Sequence, residues 1–293
     1  MPLRLTDDQI HQFCDNGYVG NLPIMSSAEC AAIRDRIAAF EAQRPADAAW
    51  AFDIKANLLF DWAYDIGAHW RMLDIAADLV GFDIFNTNTV FRIKQPGSTT
   101  SYGWHQDAAR VQVDPLFVIG FLAITECTPE NGGLRVIPGS HDRIRPFEIV
   151  TNSDGQARRR VARTIDVASH DAQDIRLGAG EAMFFSGNLI HGSGPNRSTN
   201  RRIAVLTDYT AAHARQSVGR GSGQLVRGSD WWHNFGHEPV PIGSCTPESV
   251  LARRRILTTY PENPLMGPLG TDGVIEFPDE PGAPALFPAE PTM

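Results

Sequence analysis

Apolar positions repeat with a helical period over the first eighty or so residues and as short strand-like runs after that. Thr6 before Asp7-Asp8-Gln9-Ile10 reads as an N-cap with acids in the first turn, and Gly17 ends that helix. Ser26-Ser27-Ala28-Glu29 caps a second helix running to about Gln43, with Ala32, Ile33, Ile37 and Phe40 on one face. A third helix covers Trp70 to Val80 and stops at Gly81. From Phe82 the runs are Ile84–Ile93, Leu116–Ile124, Leu134–Ile137, Ile165–Val167, Ala182–Phe185 and Ile203–Tyr209. Pro96-Gly97, Glu130-Asn131-Gly132-Gly133, Pro138-Gly139 and Gly192 to Asn196 separate them as turns. Many short strands without intervening helices predict a mainly β fold with helical decoration, an antiparallel sandwich or barrel of jelly-roll type. Asn152 to Arg163, with Arg158, Arg159 and Arg160 in a row, reads as a long loop.

After Thr210 the pattern dissolves into Pro- and Gly-rich sequence, with one short helix expected near Glu248 to Ile256. No internal repeat or linker is visible. The expectation is a single domain over residues 1–293. Helices of 1–81 pack on a jelly-roll core of 82–210, and 211–293 form a C-terminal extension.

Composition narrows the classes further. A net charge of −8 argues against nucleic-acid or anionic-membrane partners. The longest apolar run, Phe117 to Ile124, is too short to span a bilayer, and the N-terminus lacks the apolar core of a signal peptide. Four scattered cysteines without a CxxC pair indicate neither a disulfide scaffold nor a thiolate zinc site, so a cytoplasmic protein with reduced thiols is expected. Among 26 basic residues only Lys55 and Lys94 are lysine, a bias attributable to GC-rich coding DNA. Oligomeric state is not legible.

The chemistry lies in Trp104-His105-Gln106-Asp107 and the later His191-Gly192-Ser193-Gly194. On a strand, residues two apart share a face, so the His105 imidazole and Asp107 carboxylate project together. A distant His191 closes a two-histidine, one-carboxylate face with three open metal positions, the pattern of non-haem Fe(II) oxygenases. His105-Gln106-Asp107 is the only HxD in the chain. No phosphate-binding Gly-rich loop or GxSxG elbow occurs.

Lys94-Gln95-Pro96-Gly97, Trp104-His105-Gln106-Asp107, and Thr128-Pro129-Glu130-Asn131-Gly132-Gly133 through Pro138-Gly139-Ser140-His141 carry a resemblance. So do His191-Gly192-Ser193-Gly194-Pro195-Asn196, Arg201-Arg202 and Asn16-Gly17-Tyr18-Val19. Over about residues 5–210 the chain resembles the phytanoyl-CoA dioxygenase (PhyH) family of iron- and 2-oxoglutarate-dependent oxygenases. That resemblance implies a double-stranded β-helix (jelly-roll, cupin-like) core with Fe(II) on His105, Asp107 and His191. It also implies 2-oxoglutarate as co-substrate with O₂. An arginine eleven positions after the second histidine, here Arg202, would hold the distal carboxylate; Arg201 is its rival. Ser193 would add a hydroxyl and Asn88 an amide, though Asn88 reads equally as a solvent-facing strand residue. Related halogenating enzymes replace the carboxylate ligand with a small residue, so Asp107 favours hydroxylation, desaturation or ring formation.

Other residues read less sharply. Trp104 and Tyr102 flank the motif, and His141 reads as a structural turn residue. Trp231-Trp232-His233 is either a lid or a hydrophobic anchor, Asn57 to Asp65 with Trp62 is a further pocket-lining candidate, and the Arg158–Arg160 run reads as a solvated loop. The leading expectation is a dioxygenase acting on a small molecule, with specialised metabolism favoured over fatty-acyl work. A cupin-type metalloenzyme independent of 2-oxoglutarate and a non-catalytic jelly-roll binding protein are the competing classes.

Overall fold

The computed structural model describes residues 3–109, 113–115, 117–146, 148–152, 160–165, 171–217 and 221–259. Its helices are α1 (Asp7–Asn16), α2 (Ser27–Gln43), α3 (Ala48–Ala51), α4 (Asp61–Gly67), α5 (Trp70–Val80) and α6 (Pro247–Thr259). Thr6 with Gln9 and Ser26 with Glu29 form reciprocal capping boxes, each side chain satisfying an orphan amide of its helix. Gly17 closes α1 in the left-handed region at φ 79°, where a β-carbon would also sit 2.6 Å from the His141 ring.

The strands follow in chain order: β1 (Tyr18–Pro23), β2 (Ile84–Lys94), β3 (Tyr102–His105), β4 (Val113–Asp114) and β5 (Val118–Ala123). Next come β6 (Leu134–Val136), β7 (Glu148–Asn152), β8 (Arg160–Thr164), β9 (Gln173–Asp174) and β10 (Glu181–Ser186). The last are β11 (His191–Ser193), β12 (Arg202–Ala211), β13 (Arg215–Gln216), β14 (Ser222–Arg227) and β15 (Gly236–His237). A large sheet runs β1-β10-β5-β12-β2-β14-β15 and a smaller one β3-β11-β6-β9. Pairing is antiparallel throughout both except between β14 and β15. This is the expected jelly roll.

The large sheet is buried on both faces by two different cores. Its outer face carries Phe91, Ile203, Val205, Phe184 and Tyr209 against the helices. Its inner face carries Ala204, Phe121, Met183 and Phe185 toward the smaller sheet. Strand alternation alone sorts the two sets. Trp62 falls on the helical side, within an aromatic group with Phe52, Phe60 and Phe91, so it packs the core instead of lining a pocket.

Three expectations change. Part of the stretch read as a loop is a hairpin, in which Glu148–Asn152 pairs with Arg160–Thr164. The β-branched Val150, Thr151 and Val161 favour strand, but neighbouring arginines and polar residues masked so short a run. Arg160 opens the second strand of that hairpin, whereas Arg158 and Arg159 lie outside the described residues. Of the strand expected over Ile165–Val167, Ile165 belongs to no strand and the other two residues lie outside the described ones. Nor does the large sheet stop at Thr210: β14 and β15, from the part expected as an extension, complete its edge.

A buried ion pair joins that edge to the N-terminal region. Lys55 Nζ meets Glu238 Oε1 and donates to the Thr87 carbonyl at 2.7 Å, and Ser222 Oγ donates to Glu238 at 2.6 Å. Among the described residues no helix is long and apolar enough to cross a membrane.

Candidate active site

His105 ends β3, and His191 opens β11 directly opposite it. Their ring centroids are 4.2 Å apart. Asp107 is not on the strand as the i, i+2 argument assumed; it begins a one-turn 3₁₀ helix, Asp107–Ala109. Convergence therefore comes from a turn, docked through the Ala108 amide onto the Gly187 carbonyl at 2.8 Å. The carboxylate lies 3.6 Å from His105 Nε2 through Oδ1 and 3.6 Å from His191 Nε2 through Oδ2. One potential donor atom from each residue falls within 4.8 Å of the others.

Gln106, between the two, is the residue that sequence reasoning passed over. It is 1% exposed and points away from the cluster. Its Nε2 donates to the carbonyls of Arg143 (2.9 Å) and Asn188, and its Oε1 accepts from the Arg145 amide at 2.7 Å. The sequence signal was partial: alternation turns Gln106 away from His105, but Asp107 lies on a turn where that rule no longer applies.

The outer ring nitrogens are also occupied. His105 Nδ1 lies 2.8 Å from the Gly103 carbonyl and His191 Nδ1 3.0 Å from that of Leu189. A carbonyl fixes the proton on Nδ1 and leaves the Nε2 lone pair facing inward. Burial, followed by the neighbouring His105, pushes His191 down to about 4, so it is a neutral imidazole at physiological pH. Two imidazoles whose Nε2 atoms face one carboxylate are a donor set that suits a divalent iron, so these residues fit the metal.

A second feature lies at the end of β12. Arg202 is 2% exposed and donates to the Gly132 carbonyl at 3.0 Å and that of Arg92 at 3.3 Å, while its Nε has no partner. Across the ladder it pairs with Lys94, also 2% exposed, whose ammonium donates to Ser193 Oγ at 2.8 Å and to the Gly194 carbonyl. No carboxylate ion-pairs with either cation among the described residues. Burial and then Arg202 push Lys94 down to about 7, and burial likewise lowers Arg202. Two buried basic side chains without a carboxylate partner among the described residues have hydrogen-bonding capacity that suits an anion. Arg201 faces the other way and pairs with Glu41, so of the two adjacent arginines only Arg202 reaches this pocket. Gly132, at φ 77°, is required beneath it, since a β-carbon there would lie 3.0 Å from Lys94 Cδ and 2.6 Å from the Gly194 carbonyl.

Tyr102 lines the same end, its ring 5.5 Å from Lys94 Nζ and 5.3 Å from the Arg92 guanidinium. A register shift between the His191–His105 and Ser193–Tyr102 pairings accompanies this placement; Trp104 lies instead beneath Arg135. Asn88 stands apart from the cation pair. Six residues along the strand from Lys94 amount to about 20 Å. Its side-chain amide is committed to the Lys55 backbone N–H (2.9 Å) and to Asp208 (3.2 Å), which removes it from the carboxylate grip expected of it. His141 is structural, with Nε2 3.0 Å from the Cys14 carbonyl. Trp231 and Trp232 are 77% and 45% exposed, and the buried anchor in that turn is Phe235.

A jelly roll enclosing two histidines and a carboxylate, with a buried cationic pocket beside them, defines the non-haem iron oxygenase class. The chain belongs to the phytanoyl-CoA dioxygenase (PhyH) family, whose model matches residues 13–204. It is an enzyme of the iron- and 2-oxoglutarate-dependent oxygenases. A methylphosphonate hydroxylase of Gimesia maris is 25% identical over 224 residues, covering 72% of this chain and 83% of that relative. The apo form of the non-haem monooxygenase ThoJ superposes with TM-score 0.74 at 26% identity, over 87% of this chain and 96% of ThoJ. CytC3 with Fe(II) and α-ketoglutarate shares the fold at 17% identity and TM-score 0.59, over 84% of this chain and 98% of CytC3.

Proposed function

We propose that this chain oxidises an unactivated C–H bond of a small molecule, by hydroxylation, desaturation or ring formation, in specialised metabolism. His105, Asp107 and His191 hold Fe(II), and Arg202, Lys94 and Ser193 hold the distal carboxylate of 2-oxoglutarate. The observation that carries this reading is the pairing of a His/Asp/His cluster with two buried basic side chains that have no carboxylate partner among the described residues. Bound iron with 2-oxoglutarate and O₂ supplies the oxidising power, the keto acid leaving as succinate and CO₂. The protein's own residues orient and insulate. Lys94 donates to Ser193 Oγ, which frees the Ser193 proton to point at the carboxylate. The Arg202 guanidinium offers the same anion a planar, always-charged fork. Asp107 occupies the position that a halogenase leaves to chloride, which favours C–H oxidation without halogen transfer.

The test is an anaerobic titration of apo-protein with Fe(II) and 2-oxoglutarate, following the weak visible charge-transfer band of the chelate. A band requiring both components, absent in His191→Ala, is expected. Iron binding that ignores 2-oxoglutarate would move the protein to the cupin-type reading.

A further inference from the structure

The inner wall of the jelly roll reads as a series of cross-strand pairs from β12 and β2: Arg202–Lys94, Ala204–Arg92, Leu206–Val90 and Asp208–Asn88. The first pair serves the co-substrate. The last has no part in the chemistry assigned so far. Asn88 Oδ1 accepts the Lys55 amide, which fixes the orientation of the side chain so that Nδ2 donates to Asp208 Oδ2 at 3.2 Å. Asp208 is 9% exposed, and Oδ1 accepts no hydrogen bond among the described residues, yet is not sealed from solvent. The nearby cations are already engaged: Lys55 by Glu238 and Arg92 by Asp53 at 3.0 Å.

We propose that Asp208, held by Asn88, is the substrate-recognition residue, its free Oδ1 binding an ammonium or other cationic N–H group of the substrate. This rests on the iron and 2-oxoglutarate reading, because it places the substrate at the opposite end of the wall from Arg202 and Lys94. Burial and then the charge of Asp107 raise Asp208 to about 7, outweighing the lowering by Lys55 and Arg92, neither of which ion-pairs with it among the described residues. A cationic group supplies the missing counter-charge. An anionic substrate, such as the phosphonate named for the Gimesia maris relative, would bring like charge against this carboxylate.

The experiment uses the protein loaded anaerobically with Fe(II) and saturating 2-oxoglutarate, wild type and Asp208→Asn. Three probes of equal length, n-hexylammonium, 1-hexanol and hexanoate, are titrated while the chelate band is followed. In wild type, hexylammonium is expected to bind about tenfold tighter than either of the others, the scale of a charge-assisted hydrogen bond. In Asp208→Asn that advantage disappears, while 2-oxoglutarate affinity is retained and attests an intact fold. Hexanoate binding as tightly as hexylammonium in wild type overturns the proposal. So does an ammonium preference that survives in Asp208→Asn, since the amine would then be meeting the metal directly. Failure of the chelate band to form in wild type would instead sink the co-substrate reading beneath it.

Discussion

At the scale of single residues, adjacent arginines have opposite fates. Arg201 reaches outward to Glu41 on a partly exposed surface, where an ion pair contributes less than about 1 kcal/mol. Arg202 is buried with a free Nε. Arg202→Ala is therefore expected to raise the 2-oxoglutarate concentration for half-maximal succinate release at least about 100-fold, roughly two charge-assisted hydrogen bonds. Arg201→Ala should leave it within about twofold. Steady-state titration of both variants decides this, and the reverse order would refute the assignment. Lys94 adds a pH dependence. With its ligand-free value near 7, the ammonium is largely protonated below that pH and largely neutral above it. A bound carboxylate favours the protonated form, so binding above pH 7 takes up a proton. Affinity for 2-oxoglutarate should accordingly weaken as pH rises from about 7 to about 9 and be flat below about 6. Calorimetry at about pH 8 in two buffers of different ionisation enthalpy should detect that uptake, and Lys94→Met should abolish it. Equal heats in both buffers for wild type would exclude Lys94 as the group that titrates.

At the scale of elements, long periodic segments were legible and short or turn-built ones were not. α1, α2 and α5 were readable because cap and stop residues bracket several turns of pattern, and α5 matches its expected bounds. α3 and α4, of four and seven residues, are too short to show a repeat. The site divides in the same way. His105, Asp107 and His191 were visible as residue types, but their convergence was assigned to strand pleating when a 3₁₀ turn produces it. Lys94 was visible only within a motif, since nothing in the sequence says that β2 lays it beside Arg202. Lys55 gave no signal, because its partner Glu238 is 183 positions away. That pair clamps the segment before α4 to β14 and β15. Lys55→Met should destabilise the fold by about 3–5 kcal/mol, because Glu238 is left buried and uncompensated. Thermal or denaturant unfolding measures the loss, and pairing the change with Glu238→Leu should recover part of it. Unchanged stability in Lys55→Met would mean that the clamp is not ionic.

At the scale of the molecule, the fold sorts its charge in an uneven way. Arginine supplies the surface cations, whereas the only lysines in the chain, Lys55 and Lys94, are 0% and 2% exposed. One locks the sheet edge and the other stands beside Arg202 and donates to Ser193. The folded protein thus presents no side-chain primary amine to solvent. Acylating dyes, amine-coupled supports and proteases that cut after lysine find no side-chain target until the structure opens. Any lysine label acquired by the native enzyme would mark entry into its interior, with 2-oxoglutarate, if held as proposed, shielding one of the two positions and leaving the other to report on unfolding.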